Sequence, residues 1–400
     1  KSLLGSLPIH YPFKLLFDVS MKSCKIPSKW KIAEVRPIFK KGSKTTPGNY
    51  RPVSLTSIVC KLFETFIRDA LCSHLLTNDL LSPHQFGFCK GRSCTTQLLV
   101  TINDWLFYLD RQIPVDAIYL DFRKAFDTVP HKRLLSKLHG YGIRTNVLNW
   151  IDDFLSNRTQ YVSINQNDSD PSQVSSGVPQ GSVLGPSLFI YFINDLPSVI
   201  DSLAKIFADD TKVYSKISSV EDSQKLQCSL NACAAWSDTW LLQFNSSKCK
   251  VLHLGRNNPN YDYFMSDGSK LNKLDVTTCE KDLGVFIDND LNFKEHVINQ
   301  TNKARSMAGC IHRNIINKTP DIMVPLFIAM VRPTVEYGNT VWVPYYKKDK
   351  KRIEDIQRHY TKRIHGMAKK SYSERMQILK LPSLEFRRLR GDLIEVFKII

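Results

Sequence analysis

The chain has 400 residues, of which 42% are hydrophobic and 23% are charged. This balance is ordinary for a folded protein and excludes a disordered or fibrous chain, and the length allows two or three lobes. The 55 Lys and Arg residues outnumber the 38 Asp and Glu residues, which gives a formal net charge of +17. Such a surface attracts polyanions, so charge alone leaves a nucleic-acid-binding protein and a merely basic enzyme as alternatives.

Ten cysteines are scattered along the chain without a Cys-x-x-Cys pair or a neighbouring His-x3-His. This pattern argues against a zinc knuckle and, without a secretory signal at the start, predicts reduced thiols in an intracellular protein. No run of about 18 apolar residues occurs, so we expect no membrane partner. Residue 1 is Lys and the last residues lie within an amphipathic pattern, so we expect a fragment of a longer protein.

The N-terminal part is predicted to alternate helices with a short strand. Helical apolar spacing in residues 1–26 ends at Ile26-Pro27, and a strand at 33–35 precedes a cationic turn. After the cationic turn, a helix is predicted whose apolar stripe we expect to be core, formed by Val59, Leu62, Phe63, Phe66 and Ile67. A further helix is predicted from 95 to about 109.

In the middle of the chain, the apolar run 117–120 predicts a strand buried on both faces, and Asp121 follows it directly. Residues 204–214 predict two short strands that meet at the pair Asp209-Asp210. Helices are predicted at 134–140, 147–155 and 221–242, a strand at 250–254, and mostly helical, more basic structure beyond about 295. The pattern indicates an α+β protein with an appended helical lobe.

Three carboxylates, Asp121, Asp209 and Asp210, lie where predicted strands end. Carboxylates in one cleft repel by roughly 1 to 4 kcal/mol per pair at about 4 Å unless a cation lies between them. Oxygen ligands select Mg²⁺ or Mn²⁺ over zinc. Two such ions about 3.5 to 4 Å apart can activate a 3′-hydroxyl and stabilise a leaving pyrophosphate, which is nucleotidyl transfer. An Asp-Asp pair alone is more often a turn.

The segment Tyr119-Leu-Asp-Phe-Arg-Lys-Ala-Phe-Asp127 resembles the first catalytic motif of reverse transcriptases. Ser176-Gly-Val-Pro-Gln-Gly-Ser-Val-Leu-Gly-Pro-Ser187 resembles the second, and Phe207-Ala-Asp-Asp210 the third. The resemblance implies that Asp121 binds both of two Mg²⁺ ions, for which Mn²⁺ can substitute, and that Phe122 also belongs to the metal site. It implies Asp209 as the firm third-motif ligand and Asp210 as the less certain one.

The same resemblance implies a nucleotide site. Phe126 would stack beneath the sugar and exclude a 2′-hydroxyl, and Gln180 would touch the nucleotide. Lys248, in Leu242-Gln-Phe-Asn-Ser-Ser-Lys-Cys, resembles a lysine near the triphosphate that protonates the leaving group. Upstream, Arg51 is the best triphosphate candidate, followed by Lys40. Without the resemblance, Phe126 would be a core residue and the lysines would be solvated.

Template and primer contacts are implied in five places, two of which are the cationic turn at Lys41 and the second motif at Gly181. The blocks Gln85-Phe-Gly-Phe-Cys-Lys-Gly-Arg and Leu283-Gly-Val-Phe-Ile-Asp resemble a fingers segment and the hairpin that grips the primer end. A basic helix at 351–364 has one apolar face and one face for phosphates, and its alternative is a solvated helix. The contact candidates are Lys41, Lys90, Arg92, Gly181, Leu283, Gly284, Arg352 and Lys362.

Residues 26–43 and 331–344 are similar to non-long-terminal-repeat retrotransposons of the jockey-like group. This implies a right-hand α+β polymerase with an N-terminal extension at 1–30, fingers at 31–115, a palm with a small antiparallel sheet at 116–290 and a thumb at 291–400. Its partners would be an RNA template, a DNA primer or target DNA, and deoxynucleoside triphosphates. The resemblance implies target-primed reverse transcription, with the protein in the nucleus and in cytoplasmic ribonucleoprotein. We expect no nicking activity from this chain, and its sequence leaves the oligomeric state open.

Three rival hypotheses remain. The first is a catalytically inactive relic that only binds RNA, against which the intact Asp121 and Asp209 argue. The second is a telomerase or intron maturase, for which the expected accessory domains are not visible. The third is a hydrolase that uses the same metals, which lacks a His or Ser constellation at suitable spacing.

Overall fold

The computed structural model describes residues 7–40, 42–268 and 270–399. Its helices are α1 Leu7–Ser23, α2 Ile58–Thr77, α3 Cys94–Leu109, α4 Ala125–Thr128, α5 His131–Gly140, α6 Thr145–Leu155, α7 Gly185–Ile193, α8 Val220–Trp240, α9 Lys294–Asn314, α10 Pro320–Leu326, α11 Arg332–Glu336, α12 Lys347–Lys362, α13 Tyr372–Leu379 and α14 Leu384–Ile399. A π-helical turn, Phe327–Val331, joins α10 to α11.

Fourteen strands lie in the described chain. They are β1 Ile32–Phe39, β2 Tyr50–Leu55, β3 Val115–Leu120, β4 Arg158–Ile164, β5 Asn167–Asp168, β6 Ser172–Val174, β7 Leu203–Phe207, β8 Asp210–Lys216, β9 Lys250–Leu254, β10 Phe264–Asp267, β11 Lys270–Lys273, β12 Asp275–Thr277, β13 Cys279–Asp282 and β14 Val285–Asp288. The predicted α+β fold class is confirmed.

The central sheet has the strand order β12-β9-β3-β8-β7, antiparallel except for the parallel pair β12 and β9. Side chains alternate along β3, so Ile118 and Leu120 enter one core cluster with α2 and α5 to α8. Val115 and Ala117 enter a second cluster with α3, α9 and α12. Both faces of β3 are therefore covered, which explains its continuous apolar run.

A second sheet has the order β2-β1-β4-β5, with β6 also paired to β4. Strand β1 pairs in parallel with β4, so that Ile32 lies opposite Thr159 and Val35 opposite Val162. The N-terminal strand thus shares a sheet with residues more than a hundred positions later. This pairing interleaves residues 158–174 with the predicted fingers segment.

The apolar stripe predicted for α2 is buried or partly buried except at Phe66, where the prediction is wrong. Phe63 and Ile67 are buried, whereas Phe66 is 54% exposed and meets the ring of Phe17 at 6.1 Å. The stripe is wider than the surface available to cover it, since α1 covers only part of α2. No helix in the described ranges is both long and apolar enough to cross a bilayer, and each of the ten cysteines is a free thiol.

A buried histidine on α9 joins the C-terminal helices to the β13–β14 hairpin. His296 Nδ1 accepts a hydrogen bond from the Phe286 N–H at 3.1 Å, and its ring lies 4.5 Å from Trp342. Burial, with the nearby charge of Lys303, lowers the pKa of His296 to about 4. Because this value is below the ordinary 6.5, the neutral ring's stabilisation is fully present above pH 6.5 and is lost as pH falls towards 4.

We expect acidification from pH 7 to 4.5 to lower the free energy of unfolding by about 2–3 kcal/mol more in the wild-type chain than in His296→Gln. The glutamine amide oxygen can accept the Phe286 hydrogen bond but does not titrate. Urea unfolding at the two pH values measures the difference. Equal pH dependence in both chains would show that His296 is not the titrating group.

Candidate active site

The register of the central sheet brings the three predicted catalytic aspartates to one edge. Leu120 on β3 pairs with Thr211 on β8, so the residue after β3, Asp121, comes opposite Asp210. Strands β7 and β8 are joined by the two-residue turn Ala208-Asp209. Asp210 is therefore the first residue of β8, and Asp209 lies in the turn beside it.

The turn Ala208-Asp209 is held in place by Gln85, which lies far upstream in the sequence. Ala208 has a φ of 54°, which is disfavoured for a residue with a side chain. The buried Gln85 Oε1 accepts hydrogen bonds from the Ala208 N–H at 3.1 Å and the Gly87 N–H at 2.7 Å. A Cβ at position 87 would lie 2.5 Å from the Ala208 nitrogen, so only glycine permits this approach.

The aspartates influence one another electrostatically. Burial and the charge of Asp121 raise the pKa of Asp209, which Arg51 and Lys40 oppose. Burial, then Asp209 and Asp282, raise the pKa of Asp210 to about 6, which Lys212 opposes. The carboxylates are thus close enough to repel, and a cation between them would relieve that repulsion.

The carboxylates do not form a closed cage. Within the described ranges, no three Asp, Glu, His or Cys side chains are arranged as a metal-binding group. Instead, Asp121 Oδ2 lies 3.2 Å from Lys248 Nζ, in a pair whose side chains are both well exposed. An exposed pair of this kind contributes little to stability, so a divalent cation can displace the lysine.

The loop that carries Lys248 is attached to the end of β3. The Asn245 N–H donates to the Asp121 carbonyl at 2.6 Å, and the Arg123 N–H donates to the Gln243 carbonyl at 2.8 Å. Cys249 Sγ accepts from the Asp121 N–H at 3.5 Å. These backbone contacts attach the loop of Lys248 beside the aspartates, and the role of Lys248 near a triphosphate, which the resemblance implies, stays a prediction.

The side chain of Phe122 is packed into the core and cannot serve as a metal ligand. Its ring is buried and stacks on Phe244 with centroids 4.2 Å apart. A metal contact at this position would therefore use the Phe122 backbone carbonyl. The β-bridge between Phe122 and Phe244 leaves that carbonyl out, because its two hydrogen bonds are made by the backbones of Asp121 and Arg123. The predicted ligands, three carboxylates and one carbonyl, would supply only oxygen donors, which suit Mg²⁺ or Mn²⁺.

Phe126 and Gln180 are held by contacts between the first and second motifs. The half-buried Phe126 ring stacks on the fully buried Phe189, with centroids 4.4 Å apart. The Val178 N–H donates to the Phe126 carbonyl at 2.7 Å, and Gln180 Nε2 donates to Asp127 Oδ1 at 2.9 Å. Both predicted nucleotide contacts are therefore rigidly supported.

Strand β2 approaches the second motif at Gly181. The Ser54 N–H donates to the Gln180 carbonyl at 2.7 Å, and a Cβ on Gly181 would lie 2.2 Å from the Ser54 carbonyl oxygen. Gly181 also has a φ of 122°, so two constraints require glycine. The close approach positions exposed Arg51 on β2, whose charge, with that of Lys40, reaches Asp209.

The predicted fingers contacts differ from one another. Lys90 is exposed, whereas the Arg92 guanidinium donates to the carbonyls of Ser82 at 3.2 Å and Pro83 at 3.0 Å and to that of Gln85. Arg92 thus braces the turn that carries Gln85, and a template contact from its remaining N–H groups stays a prediction. Lys41 lies outside the described residues.

The predicted primer hairpin is β13–β14, whose turn residues Leu283 and Gly284 have φ values of 43° and 91°. Two positive φ values match the right-handed twist of a tight hairpin, although leucine is unusual there. Tyr337 Oη donates to the Leu283 carbonyl at 2.8 Å. The last residue of β13, Asp282, forms a buried ion pair with Lys212, two residues after Asp210, and this pair ties the hairpin to the catalytic strand.

Helix α12 has the predicted division into two faces. Ile353, Ile356 and Tyr360 are buried, whereas Lys362 is exposed and Arg352 is partly exposed. The two cations are ten residues apart, about 15 Å along the helix axis. They would thus contact different parts of a bound strand.

Residues 38–294 match the model of the family described as reverse transcriptase (RNA-dependent DNA polymerase). The match covers more than half of the chain and contains the three aspartates, Phe126, Gln180 and Lys248. The chain belongs to the reverse transcriptase family. The enzyme class predicted from the motifs, an RNA-directed DNA polymerase, is thereby confirmed.

This reverse transcriptase is similar to proteins of mobile elements. It is 29% identical over 365 residues to "Probable RNA-directed DNA polymerase from transposon BS" of Drosophila melanogaster, a match that covers 86% of this chain. It is 28% identical over 367 residues to "RNA-directed DNA polymerase from mobile element jockey" of the same species, with 88% of this chain covered. The reverse transcriptase spans 39% of the length of each of these relatives.

Among solved structures, a chain of "apo telomerase from Candida Tropicalis truncated from C-terminal domain" aligns with the reverse transcriptase at a TM-score of 0.45 and 12% identity. The alignment covers 70% of this chain and 59% of that one.

The resemblance to jockey-like elements predicted from residues 26–43 agrees with the sequence relatives.

Proposed function

We propose that this reverse transcriptase copies the RNA of a non-long-terminal-repeat retrotransposon into DNA, by nucleotidyl transfer with two Mg²⁺ ions at the edge of the central sheet. The observation that carries the proposal is the β3–β8 register, which sets Asp121 opposite Asp210 and beside the turn residue Asp209. The names of the mobile-element relatives support the biological setting.

Asp121, Asp209 and Asp210 would hold the ions, with Mn²⁺ as a possible substitute. Such ions activate the primer 3′-hydroxyl and stabilise the leaving pyrophosphate. Since the pKa of Asp210 is raised to about 6, cation binding there also displaces a proton at mildly acidic pH. Lys248 lies 3.2 Å from Asp121 and is positioned to donate to the leaving pyrophosphate, while Arg51 and Lys40 bind the triphosphate.

The test is extension of a DNA primer annealed to an RNA template, with deoxynucleoside triphosphates and Mg²⁺. We expect synthesis with a 3′-hydroxyl primer, no synthesis after chelation with EDTA, and recovery when Mg²⁺ is restored. A dideoxy-terminated primer is the matched negative control. Synthesis that persists in EDTA would contradict the metal mechanism, and RNA binding without any synthesis would favour the alternative, an inactive relic.

Replacing Phe126 with Val should weaken discrimination against ribonucleotides. The Phe126 ring, supported by Phe189, would occupy the space that a 2′-hydroxyl needs, and valine leaves that space open. We expect the ratio of kcat/KM for dGTP over GTP to fall by roughly 10- to 200-fold, the range associated with small changes in pocket size. Phe386→Val, on an exposed face of α14, is the control and should leave the ratio unchanged.

We further propose that a nicked chromosomal 3′ end is the natural primer, as in target-primed reverse transcription. The relatives named for mobile elements support this proposal, and the predicted nuclear and ribonucleoprotein locations would follow from it. A supplied nicked duplex, offered with element RNA, tests it without requiring the chain to cut DNA. Extension from free annealed primers but never from the nick would contradict it.

A further inference from the structure

Tyr337 contacts the predicted primer hairpin from outside the range, residues 38–294, that matches the family. It directly follows α11, and its Oη donates to the Leu283 carbonyl at 2.8 Å. Its ring lies against Gly284, because a Cβ built there would come within 3.0 Å of Tyr337 Cε1. One side chain therefore contacts both residues of the β13–β14 turn.

The Leu283–Gly284 turn has a backbone conformation that needs external support. Leu283 has a φ of 43°, which is unfavourable for a residue with a side chain. Such conformations persist where surrounding contacts impose them, and they concentrate at functional sites. The Leu283 carbonyl belongs to the peptide that joins the two turn residues, so the hydrogen bond from Tyr337 restricts the orientation of that peptide.

Tyr337 is itself anchored in the C-terminal helices. Trp342 Nε1 donates to the Tyr337 carbonyl at 2.8 Å. The preceding residue, Glu336, accepts hydrogen bonds from the guanidinium of Arg387 on α14, one of them at 2.9 Å. The following residue, Gly338, packs against β14, since a Cβ there would lie 3.4 Å from a valine methyl of that strand. The tyrosine ring thus has a defined position from which to hold the turn.

The Tyr337 hydroxyl is a hydrogen-bond donor at neutral and mildly alkaline pH. Partial burial, then the Cys94 thiol and the charge of Asp282, raise the pKa of Tyr337 to about 12. The hydroxyl therefore keeps its proton for the Leu283 carbonyl. Cys94 is the first residue of α3, so Tyr337 also contacts the predicted fingers segment.

The turn lies close to the three aspartates. The residue directly before it, Asp282, forms the buried ion pair with Lys212 on β8, and its charge adds to burial and Asp209 in raising the pKa of Asp210. The turn is thus held from two sides, by β8 through Asp282 and by the C-terminal helices through Tyr337. A displacement of the turn would move a bound primer relative to the carboxylates.

We propose that Tyr337 is a positioning residue that sets the place of the primer 3′ end, by holding the Leu283–Gly284 turn against the C-terminal helices. The inference rests on the proposed function, because the primer and its 3′-hydroxyl are those of the reaction given there. A misplacement of about 1 Å can cost roughly a hundredfold in rate, so one hydrogen bond to the turn has a large kinetic effect. Tyr337 touches no reacting atom and acts through the turn.

The test is Tyr337→Phe, which keeps the ring against Gly284 and removes only the hydroxyl. In single-turnover primer extension on an RNA template, we expect the maximal rate to fall by roughly 10- to 100-fold, the upper value being that of a misplacement of about 1 Å. The KM for the deoxynucleotide should stay at the wild-type value, because the proposed triphosphate ligands, Arg51 and Lys40, are unchanged. A raised KM with an unchanged maximal rate would overturn the inference.

Tyr360→Phe is the matched control, since it removes the same kind of hydrogen bond from the same helical region. The buried Tyr360 Oη donates to the Met323 carbonyl at 2.9 Å. We expect this variant to unfold at a lower denaturant concentration than the wild-type chain and yet to extend primers at the wild-type rate. An equal loss of rate in both variants would show a general effect of stability and would also overturn the inference.

A second readout needs no synthesis. A primer whose 3′-terminal base is 2-aminopurine, annealed to the RNA template, becomes more fluorescent when that base unstacks. With all of the primer and template bound, we expect the complex of Tyr337→Phe to be brighter than those of the wild-type chain and Tyr360→Phe. Equal fluorescence in the three complexes would contradict the role of Tyr337.

The two readouts separate failure of this inference from failure of the proposed function. A wild-type chain that extends nothing, although its Tyr337→Phe complex is brighter, would refute the polymerase proposal alone. A wild-type chain that extends primers no faster than Tyr337→Phe would refute the role of Tyr337 alone.

Discussion

Asp209→Asn is expected to reduce primer extension on RNA by at least about a thousandfold, which corresponds to about 4 kcal/mol of transition-state stabilisation. The asparagine keeps the shape of the side chain but removes the charge that would hold a cation beside Asp121 and Asp210. RNA binding should change by no more than a few fold, because the substitution adds no bulk to the cleft. Single-turnover extension at saturating primer and template measures the effect.

The control for Asp209→Asn is Asp201→Asn, which removes the same charge from an exposed position just before β7. It should extend primers at the wild-type rate. Loss of activity in both variants to the same extent would indicate a general charge effect, and full activity in Asp209→Asn would refute the assigned site.

Lys212→Met is expected to lower the free energy of unfolding by about 3–5 kcal/mol, the usual cost of leaving one partner of a buried ion pair alone. Both side chains of the Lys212–Asp282 pair are almost completely buried. The pair also joins the catalytic strand β8 to the β13–β14 hairpin, so its loss should loosen the predicted primer-gripping turn. Chemical denaturation measures the stability.

The double variant Lys212→Met/Asp282→Leu provides the matched control, since it removes both charges and keeps the volume apolar. It should recover most of the lost stability. Lys273→Met, which breaks the exposed pair with Asp262, should cost at most about 1 kcal/mol. If Lys212→Met costs no more than Lys273→Met, the buried pair does not hold the hairpin.

Local patterns were enough to predict the elements that carry the aspartates. The apolar run before Asp121 predicts a strand buried on both faces because its periodicity needs no distant information, and the structure has β3 there. The hairpin at residues 204–214 follows equally from short-range alternation and is present as β7 and β8. The helices α3, α5, α6 and α8 were predictable for the same reason.

Contacts between distant segments could not be predicted from one sequence. The support of Ala208 by Gln85 joins residues more than a hundred positions apart, and a buried glutamine carries no local signal. The parallel pairing of β1 with β4 and the burial of Lys212 have the same cause. The resemblance implies Arg92 as a template contact, yet its Nη1 already donates to backbone carbonyls of the preceding turn.

The most direct measurement of the central claim is the number of Mn²⁺ ions bound per chain in a complex with RNA template, dideoxy-terminated primer and the next correct deoxynucleotide. We expect two ions for the wild-type chain and loss of both at the same free Mn²⁺ in Asp121→Asn/Asp209→Asn, with the RNA still bound. Two ions retained by the double variant would contradict the assignment of these aspartates.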